Sequence, residues 1–139
     1  MYIYDVQIRT RYSETDKMGI IYHANYITYY EIARTEMLRN TGIYSYNEME
    51  LAGIMMPVVE VQSKYIMPAY YDENLTIRVI IKEMPTAKMT FCYEVFNEKQ
   101  ELLNIGAVTL AFMNSQTRRP CRPPQKLLDC LIDYFPPKE

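Results

Sequence analysis

The sequence has few residues that could form cross-links or bind metal. Of its 139 residues only three are cysteine, Cys92, Cys121 and Cys130, and only one is histidine, His23. An odd number of cysteines without a paired CxxC spacing indicates neither a disulfide framework nor a structural zinc site. We therefore expect reduced, mostly structural thiols and no metal site.

The sequence also lacks an excess of positive charge. A formal net charge of −2 and a pI near 5.5 offer no broad basic surface to nucleic acid or to an anionic membrane. The short segment "TRRPCR" (117–122) could still contact a phosphate. Nucleic acid is therefore not an expected partner.

Long apolar runs are absent as well. No segment approaches the roughly 18 apolar residues of a transmembrane helix. The first residues, "MYIYDVQIRT", do not combine a charged leader with a long apolar run. We expect a cytoplasmic protein without a membrane span.

The composition that is present suits one globular domain. The chain is 49% hydrophobic and 23% charged, and its length lies within the range of about 100 to 200 residues that is usual for a domain. It contains no repeat, low-complexity run or interdomain linker. We expect residues 1–139 to form a single domain.

The first third of the chain predicts a strand and a long helix. Residues 2–10 alternate between apolar and polar, as a half-buried strand does. From about Asn25 to Asn40 the apolar residues recur every three or four positions, and "NTG" then supplies the glycine that often ends a helix. The polar link 44–53 could hold a short helical turn.

The remainder predicts four strands, at 54–67, 74–84, 88–96 and 101–113. The links 85–87 and 97–100 are short enough for hairpins, which makes their neighbours antiparallel. Gly106 inside the last strand indicates a bend or a close backbone approach. A short helix starts after proline within 123–135. The class is α+β, with an antiparallel sheet covered on one face by a buried helix.

The segment "TDKMGIIYHANY" (15–26) joins the first strand to the long helix and concentrates reactive residue types. Asp16 lies in the loop, where Gly19 would allow a tight turn. The first amides of the helix, near Tyr22, His23 and Ala24, have no partner within the helix and carry the positive end of its dipole. An acid beside such amides is suited to acyl transfer, because the amides can polarise a carbonyl or hold an oxyanion.

Each of these residues also has a structural interpretation. Asp16 could be a turn acid or cap, His23 a hydrogen-bonding residue at the helix start, and Asn25 the N-cap. Tyr22 and Tyr26 could be core or interface aromatics. The residues alone leave both interpretations open.

The stretch "RYSETDKMGIIYHANYITYYEIARTEMLR" (11–39) resembles the 4-hydroxybenzoyl-CoA thioesterase family of hotdog-fold proteins. It is most similar to the branch of short bacterial acyl-CoA thioesterases associated with the Tol-Pal system. The combination of TDxxGxxYHxNY with YExAR carries the resemblance, which extends from about residue 3 to 125. It implies a curved antiparallel sheet wrapped around one long central helix. It also implies a homodimer or homotetramer, with sheets joined edge to edge and the active site at the dimer interface.

By position, the resemblance implies that Asp16 is the catalytic carboxylate, acting as nucleophile or general base. It places the carbonyl-polarising amide at about His23, whose side chain would orient substrate or water. The other residues expected to bind substrate at the loop and helix start are Gly19, Tyr22, Asn25 and Tyr26. No cofactor is expected, because CoA is part of the substrate.

Contacts with the CoA phosphates are less well defined. Some relatives place a basic run on the turn between the third and fourth strands, whereas this chain has "PTAK" there and leaves Lys88 as the candidate. Lys64, Arg118 and Arg119 are further candidates. An acyl carrier protein could also deliver the acyl group, since its thioester arm is the same phosphopantetheine.

The expected function is hydrolysis of an acyl-CoA thioester to a free acid and CoA. Three alternatives remain: an acyl carrier protein thioesterase, a hotdog enoyl-thioester hydratase, and a thioester-binding protein without turnover. The sequence does not define the acyl group, because the pocket would be built between chains from generic apolar residues.

Overall fold

The computed structural model describes residues 1–42 and 46–137. Strand β1 (Tyr2–Arg9) leads through a 3-10 turn (Tyr12–Glu14) to helix α1 (Asn25–Asn40) and the short helix α2 (Tyr46–Leu51). The strands that follow are β2 (Ile54–Met55), β3 (Val58–Tyr65), β4 (Asn74–Ile81), β5 (Lys88–Phe96), β6 (Leu102–Ala111) and β7 (Met113–Asn114). The described part of the chain ends with helix α3 (Gln125–Leu131) and a 3-10 turn (Ile132–Tyr134).

Five strands form the main sheet, in the order β1-β4-β5-β6-β3, and every neighbouring pair is antiparallel. Strands β2 and β7 pair in a separate two-stranded sheet. This arrangement confirms the predicted α+β class and the antiparallel pairing of β4 with β5 and of β5 with β6. It leaves β1 and β3 as the two edges of the main sheet.

Helix α1 covers one face of this sheet. The alternate residues of β4 and β5 that point toward the helix are fully buried: Leu75, Ile77, Val79, Ile81, Met89, Phe91, Tyr93 and Val95. From the helix, Tyr29, Tyr30 and Met37 enter the same core. The Tyr30 ring stacks on the Tyr93 ring, with centroids 4.3 Å apart. Burial of these large apolar side chains is the main force that holds the helix on the sheet.

The bounds of α1 agree with the prediction. The helix spans Asn25–Asn40, and the chain leaves it at Gly42, whose φ of +82° favours glycine. The predicted helical turn in the link 44–53 is confirmed by α2, although residues 44 and 45 lie outside the described residues. The C-terminal helix is also confirmed, since α3 follows Pro124 and buries Leu127 and Leu131.

Four strand predictions were too long, the first by one residue, since β1 ends at Arg9. The predicted strand 54–67 forms β2 and β3 because Pro57, which lies between them, has no N–H for a strand ladder. The predicted strand 101–113 divides at Phe112 into β6 and β7, where the chain passes from the main sheet to the small one. Strand β4 ends at Ile81 instead of residue 84, so its link to β5 is longer than predicted. Strand β5 matches its prediction.

Gly106 makes the predicted close approach. A Cβ at this position would lie 2.3 Å from the Tyr30 hydroxyl oxygen. That hydroxyl hydrogen-bonds to Ser63 Oγ at 2.8 Å and donates to Asn104 Oδ1. The lack of a side chain at Gly106 therefore lets a buried tyrosine of α1 meet polar groups of β3 and β6.

Within the described residues, none of the helices has the length and apolar character needed to cross a membrane.

Candidate active site

Asp16 lies in a tight loop that its own side chain closes. Its Oδ1 accepts hydrogen bonds from the Met18 amide at 2.8 Å and the Ile20 amide at 3.4 Å. Gly19 follows with φ of +81°, and its amide donates to the Asp16 carbonyl at 3.0 Å. No described residue donates to Oδ2 of Asp16. One carboxylate oxygen thus stabilises the turn, and the other is available to a substrate or to water.

The start of α1 differs from the prediction in two details. Ala24 occupies the N-cap position without a side-chain hydrogen bond, so the prediction of Asn25 as N-cap is wrong; Asn25 is the first helical residue. The Tyr22 amide is not available to bind a carbonyl oxygen of a substrate, because it donates to the Glu14 carbonyl at 2.9 Å. The amides of His23 and Ala24 have no hydrogen-bond partner among the described residues. These two amides are therefore the candidate carbonyl-binding groups.

Asp16 and His23 open onto one cleft of about 460 Å³. Tyr26 is in its wall, and the remaining lining residues are Met18, Ile20, Ile21, Tyr65, Ile66, Met67 and Pro68. The lining is largely apolar, and it contains one carboxylate and one helix start. Such a cleft suits an acyl group whose polar end lies beside Asp16.

Tyr65 joins β3 to the helix start and was not predicted as a site residue. Its hydroxyl donates to the His23 carbonyl at 2.8 Å, and its ring meets the Tyr26 ring edge-on, with centroids 5.2 Å apart. The two hydrogen-bonded residues are 42 positions apart in the sequence. No local spacing rule connects residues so far apart. The alternation of a strand does not distinguish Tyr65 from other strand residues, so the sequence could not predict it as a site residue.

Glu14 is the second residue that sequence reasoning missed. Its Oε1 accepts hydrogen bonds from the Arg11 amide at 2.7 Å and the Tyr29 hydroxyl at 2.8 Å. Its carbonyl accepts from the Tyr22 amide at 2.9 Å and from Asn25 Nδ2 at 2.7 Å. The available signal was the spacing of Glu14 and Arg11, which is that of a capping box on the 3-10 turn.

The surroundings raise the pKa of two tyrosines beside the cleft. Burial raises the pKa of Tyr26 to about 12. Burial, and then the hydrogen bond to Glu14, also raise the pKa of Tyr29. Tyrosine hydroxyls are protonated at neutral pH in any case, and these shifts keep both hydroxyls protonated to higher pH, as hydrogen-bonding groups and not as bases.

Three other predicted residues lie near the cleft without lining it. Gly19 is exposed in the loop, and the exposed Tyr22 ring packs against the His23 ring with centroids 4.4 Å apart. Asn25 uses its side chain to hold the Glu14 carbonyl. Within this chain, these residues support the loop and the helix start.

Lys64 and Lys88 lie on the opposite face of the main sheet. Ser63 contacts Tyr30 on the helix side, so the next residue of β3, Lys64, points away from α1. Lys64 borders a surface depression that also contains Lys82 and Cys92, and Lys88 borders an adjoining one that shares those two residues. The structure does not bring either lysine to the Asp16 cleft of its own chain.

Comparison with known proteins identifies the family to which this chain belongs. The family model described as the thioesterase-like superfamily matches residues 10–131, which include the Asp16 loop, helix α1 and β2 to β7. The chain belongs to the thioesterase-like superfamily. This membership confirms the predicted hotdog superfamily of thioesterases.

Individual members of the superfamily agree with this assignment. YneP of Bacillus subtilis (strain 168), named as a proposed acyl-CoA thioesterase, is 35% identical over 102 residues, which are 73% of each chain. The acyl-CoA thioester hydrolase YbgC of Escherichia coli O6:H1 is 30% identical over 121 residues, covering 87% of this chain and 90% of that protein. A solved DHNA-CoA thioesterase from Staphylococcus aureus superposes with a TM-score of 0.83 and 35% identity, covering 97% of this chain and 85% of that one. The chain is thus a thioester hydrolase.

Proposed function

We propose that this thioester hydrolase cleaves an acyl-CoA to a free carboxylic acid and CoA, and that Asp16 carries the chemistry. The observation that supports this most is the shared cleft: Asp16 and His23 both line it, and the rest of its wall is mainly apolar. The His23 and Ala24 amides, unpaired among the described residues, lie at the positive end of α1. They would donate hydrogen bonds to the thioester carbonyl oxygen and stabilise negative charge on it.

Two routes use this geometry. In the first, an Asp16 oxygen bonds to the carbonyl carbon, the carbon–sulfur bond breaks, and CoA leaves as a thiolate that is then protonated; water hydrolyses the mixed anhydride. In the second, Asp16 takes a proton from water while the water oxygen bonds to the carbonyl carbon; the carbon–sulfur bond then breaks, and CoA leaves as a thiolate that takes up the proton. Neither route requires a metal or a cofactor.

The proposal includes the assembly implied by the family. We infer a homodimer or homotetramer in which a curved sheet wraps around α1 and the site lies between two copies. Lys64 and Lys88, on the face away from this chain's cleft, would then contact CoA phosphates at the site of a second copy. We likewise propose that the protein is cytoplasmic and that it belongs to the Tol-Pal-associated branch. An acyl carrier protein is the proposed alternative acyl donor.

The test is release of free thiol from a panel of acyl-CoAs that differ in chain length and aromaticity, repeated with acyl carrier protein thioesters. We expect turnover by the unaltered chain, and Asp16→Asn should lower kcat by about 10²- to 10⁴-fold, the usual contribution of such a group. Asp133→Asn, in the exposed 3-10 turn near the C-terminus, is the matched control.

Unchanged turnover by Asp16→Asn, with an unchanged melting temperature, would exclude the role given to Asp16. Hydration of an enoyl-CoA without thiol release would identify a hydratase. Binding of CoA thioesters with no turnover on any member of the panel would identify a binding protein.

A further inference from the structure

Glu14 connects the Asp16 loop to helix α1 through both its side chain and its backbone. It lies two residues before Asp16 and ends the 3-10 turn. Its carboxylate accepts from the Arg11 amide and the Tyr29 hydroxyl, while its carbonyl accepts from the Tyr22 amide and the Asn25 side chain. Four hydrogen bonds therefore meet at this one residue.

The partners of Glu14 connect it to the core on one side and to the start of α1 on the other. Tyr29 has no exposed surface, so its ring is fixed in the core and its hydroxyl is an anchor for the Glu14 carboxylate. Tyr22 and Asn25 flank His23 and Ala24, whose amides have no hydrogen-bond partner among the described residues. The Glu14 carbonyl thus fixes both sides of the candidate carbonyl-binding amides, and its side chain fixes the loop that presents Asp16.

We propose that Glu14 is a positioning residue that sets the distance between the Asp16 carboxylate and the amides of His23 and Ala24. The inference rests on the proposed function, in which these groups act on the same thioester carbonyl. Glu14 does not line the cleft, so it has no contact with the acyl group. Its loss should therefore affect kcat far more than KM, since a misplacement of about 1 Å can cost on the order of 10²-fold in rate.

Four variants separate positioning from general stability. Glu14→Ala removes both side-chain hydrogen bonds, Tyr29→Phe removes only the one that reaches the helix, and Glu14→Gln keeps an oxygen that can accept both. Glu101→Ala is the matched control: Glu101 is equally half-buried, and its Oε1 accepts from Asn97 Nδ2 at 3.0 Å in the turn between β5 and β6.

We expect Glu14→Ala to lower kcat by about 10- to 100-fold and Tyr29→Phe by about tenfold, with KM changed less than about threefold. Glu14→Gln and Glu101→Ala should stay within about threefold of the unaltered chain. Backbone hydrogen exchange of residues 15–25, followed by mass spectrometry, should become faster in Glu14→Ala and Tyr29→Phe only. This second readout does not depend on turnover.

Several outcomes would overturn the inference. Equal losses in Glu14→Gln and Glu14→Ala would mean that the negative charge matters, not the hydrogen-bonded position. A rise in KM with unchanged kcat would place Glu14 in substrate binding, and unchanged exchange of residues 15–25 would mean that it positions nothing. If Glu14→Ala does not fold, Tyr29→Phe decides by the same criteria. Failure of the proposed function would appear separately, as full turnover by Asp16→Asn, and the exchange measurement would still test Glu14.

Discussion

In both Asp16 and His23, one group makes hydrogen bonds that stabilise the fold and another group is available at the cleft. Oδ1 of Asp16 accepts from the Met18 and Ile20 amides, while no described residue donates to Oδ2. The His23 carbonyl accepts a hydrogen bond from the Tyr65 hydroxyl, while the His23 amide has no hydrogen-bond partner within the described ranges. A structural role and a chemical role are therefore compatible in both residues, because different atoms carry them.

His23→Ala tests whether the backbone of His23 matters more than its ring. The ring is exposed and packs against Tyr22, and alanine would keep the amide at the start of α1. We expect kcat for thiol release to fall less than about tenfold, or about 1.4 kcal/mol in the barrier, which is much less than for Asp16→Asn. A loss as large as that of Asp16→Asn would assign catalysis to the imidazole instead.

At the scale of the elements, the apolar contact between α1 and the sheet includes a buried polar network. Tyr30 of α1 hydrogen-bonds to Ser63 of β3 and Asn104 of β6, and Asn104 Nδ2 also donates to Ser63 Oγ at 2.9 Å. Each member has a partner, as buried polar groups require. The network ties the helix to β3, the strand whose last residue, Tyr65, lines the cleft.

Gly106→Ala tests the close approach that this contact requires. The new Cβ would meet the Tyr30 ring and hydroxyl, and the ring cannot move aside because it is stacked on Tyr93 and fully buried. We expect the free energy of unfolding to fall by about 1–3 kcal/mol, as overpacking usually costs. Urea denaturation provides the measurement.

The control for Gly106→Ala is the same substitution in a Tyr30→Leu background. Leucine lacks the atoms that the new Cβ would meet, so the two substitutions should be strongly coupled. If Gly106→Ala costs the same in both backgrounds, the cost does not come from contact with Tyr30.

At the scale of the whole molecule, the edge strand β3 of the main sheet is open to pairing with another chain. Strand β3 is an edge and exposes Val58, Val59 and Val61, with about half or slightly less of each side chain accessible. An apolar edge strand with unpaired backbone groups favours pairing with another strand unless charge or proline blocks it. Although β3 also exposes Glu60 and Lys64, we expect its valine-rich end to pair with a strand of a second copy.

Val61→Lys should weaken that pairing, because the lysine would put a charge on the edge of each copy. We expect the mass from sedimentation equilibrium to fall toward that of one chain, with a parallel loss of thiol release if the site lies between copies. Ile3→Lys, on the opposite edge strand β1, is the matched control, since Ile3 is similarly exposed. Equal effects of the two variants, or no effect of Val61→Lys, would argue against assembly through β3.

Local spacing by itself determined several elements of this protein. The three- and four-residue recurrence predicted α1 at its observed bounds, the segment 88–96 was predicted as the strand β5, and short links predicted the antiparallel pairs. These succeed because a helix face and a strand face are properties of near neighbours in the chain. The same reasoning placed Asp16 beside the start of α1, since only six residues separate it from His23.

Only the tertiary structure decided which atoms between Asp16 and the start of α1 remain free of hydrogen bonds within the described residues. The hydrogen bond from Tyr65 to His23, the anchoring of Glu14 by Tyr29 and the placement of Lys64 on the far face depend on how β3, α1 and the loop pack together. Pairs such as Tyr65 and His23, 42 residues apart, leave no periodic trace in the sequence, because their contact is set by burial of the elements that carry them. Spacing therefore predicted a candidate site, and packing determined that two amides and one carboxylate oxygen in it have no hydrogen-bond partner among the described residues.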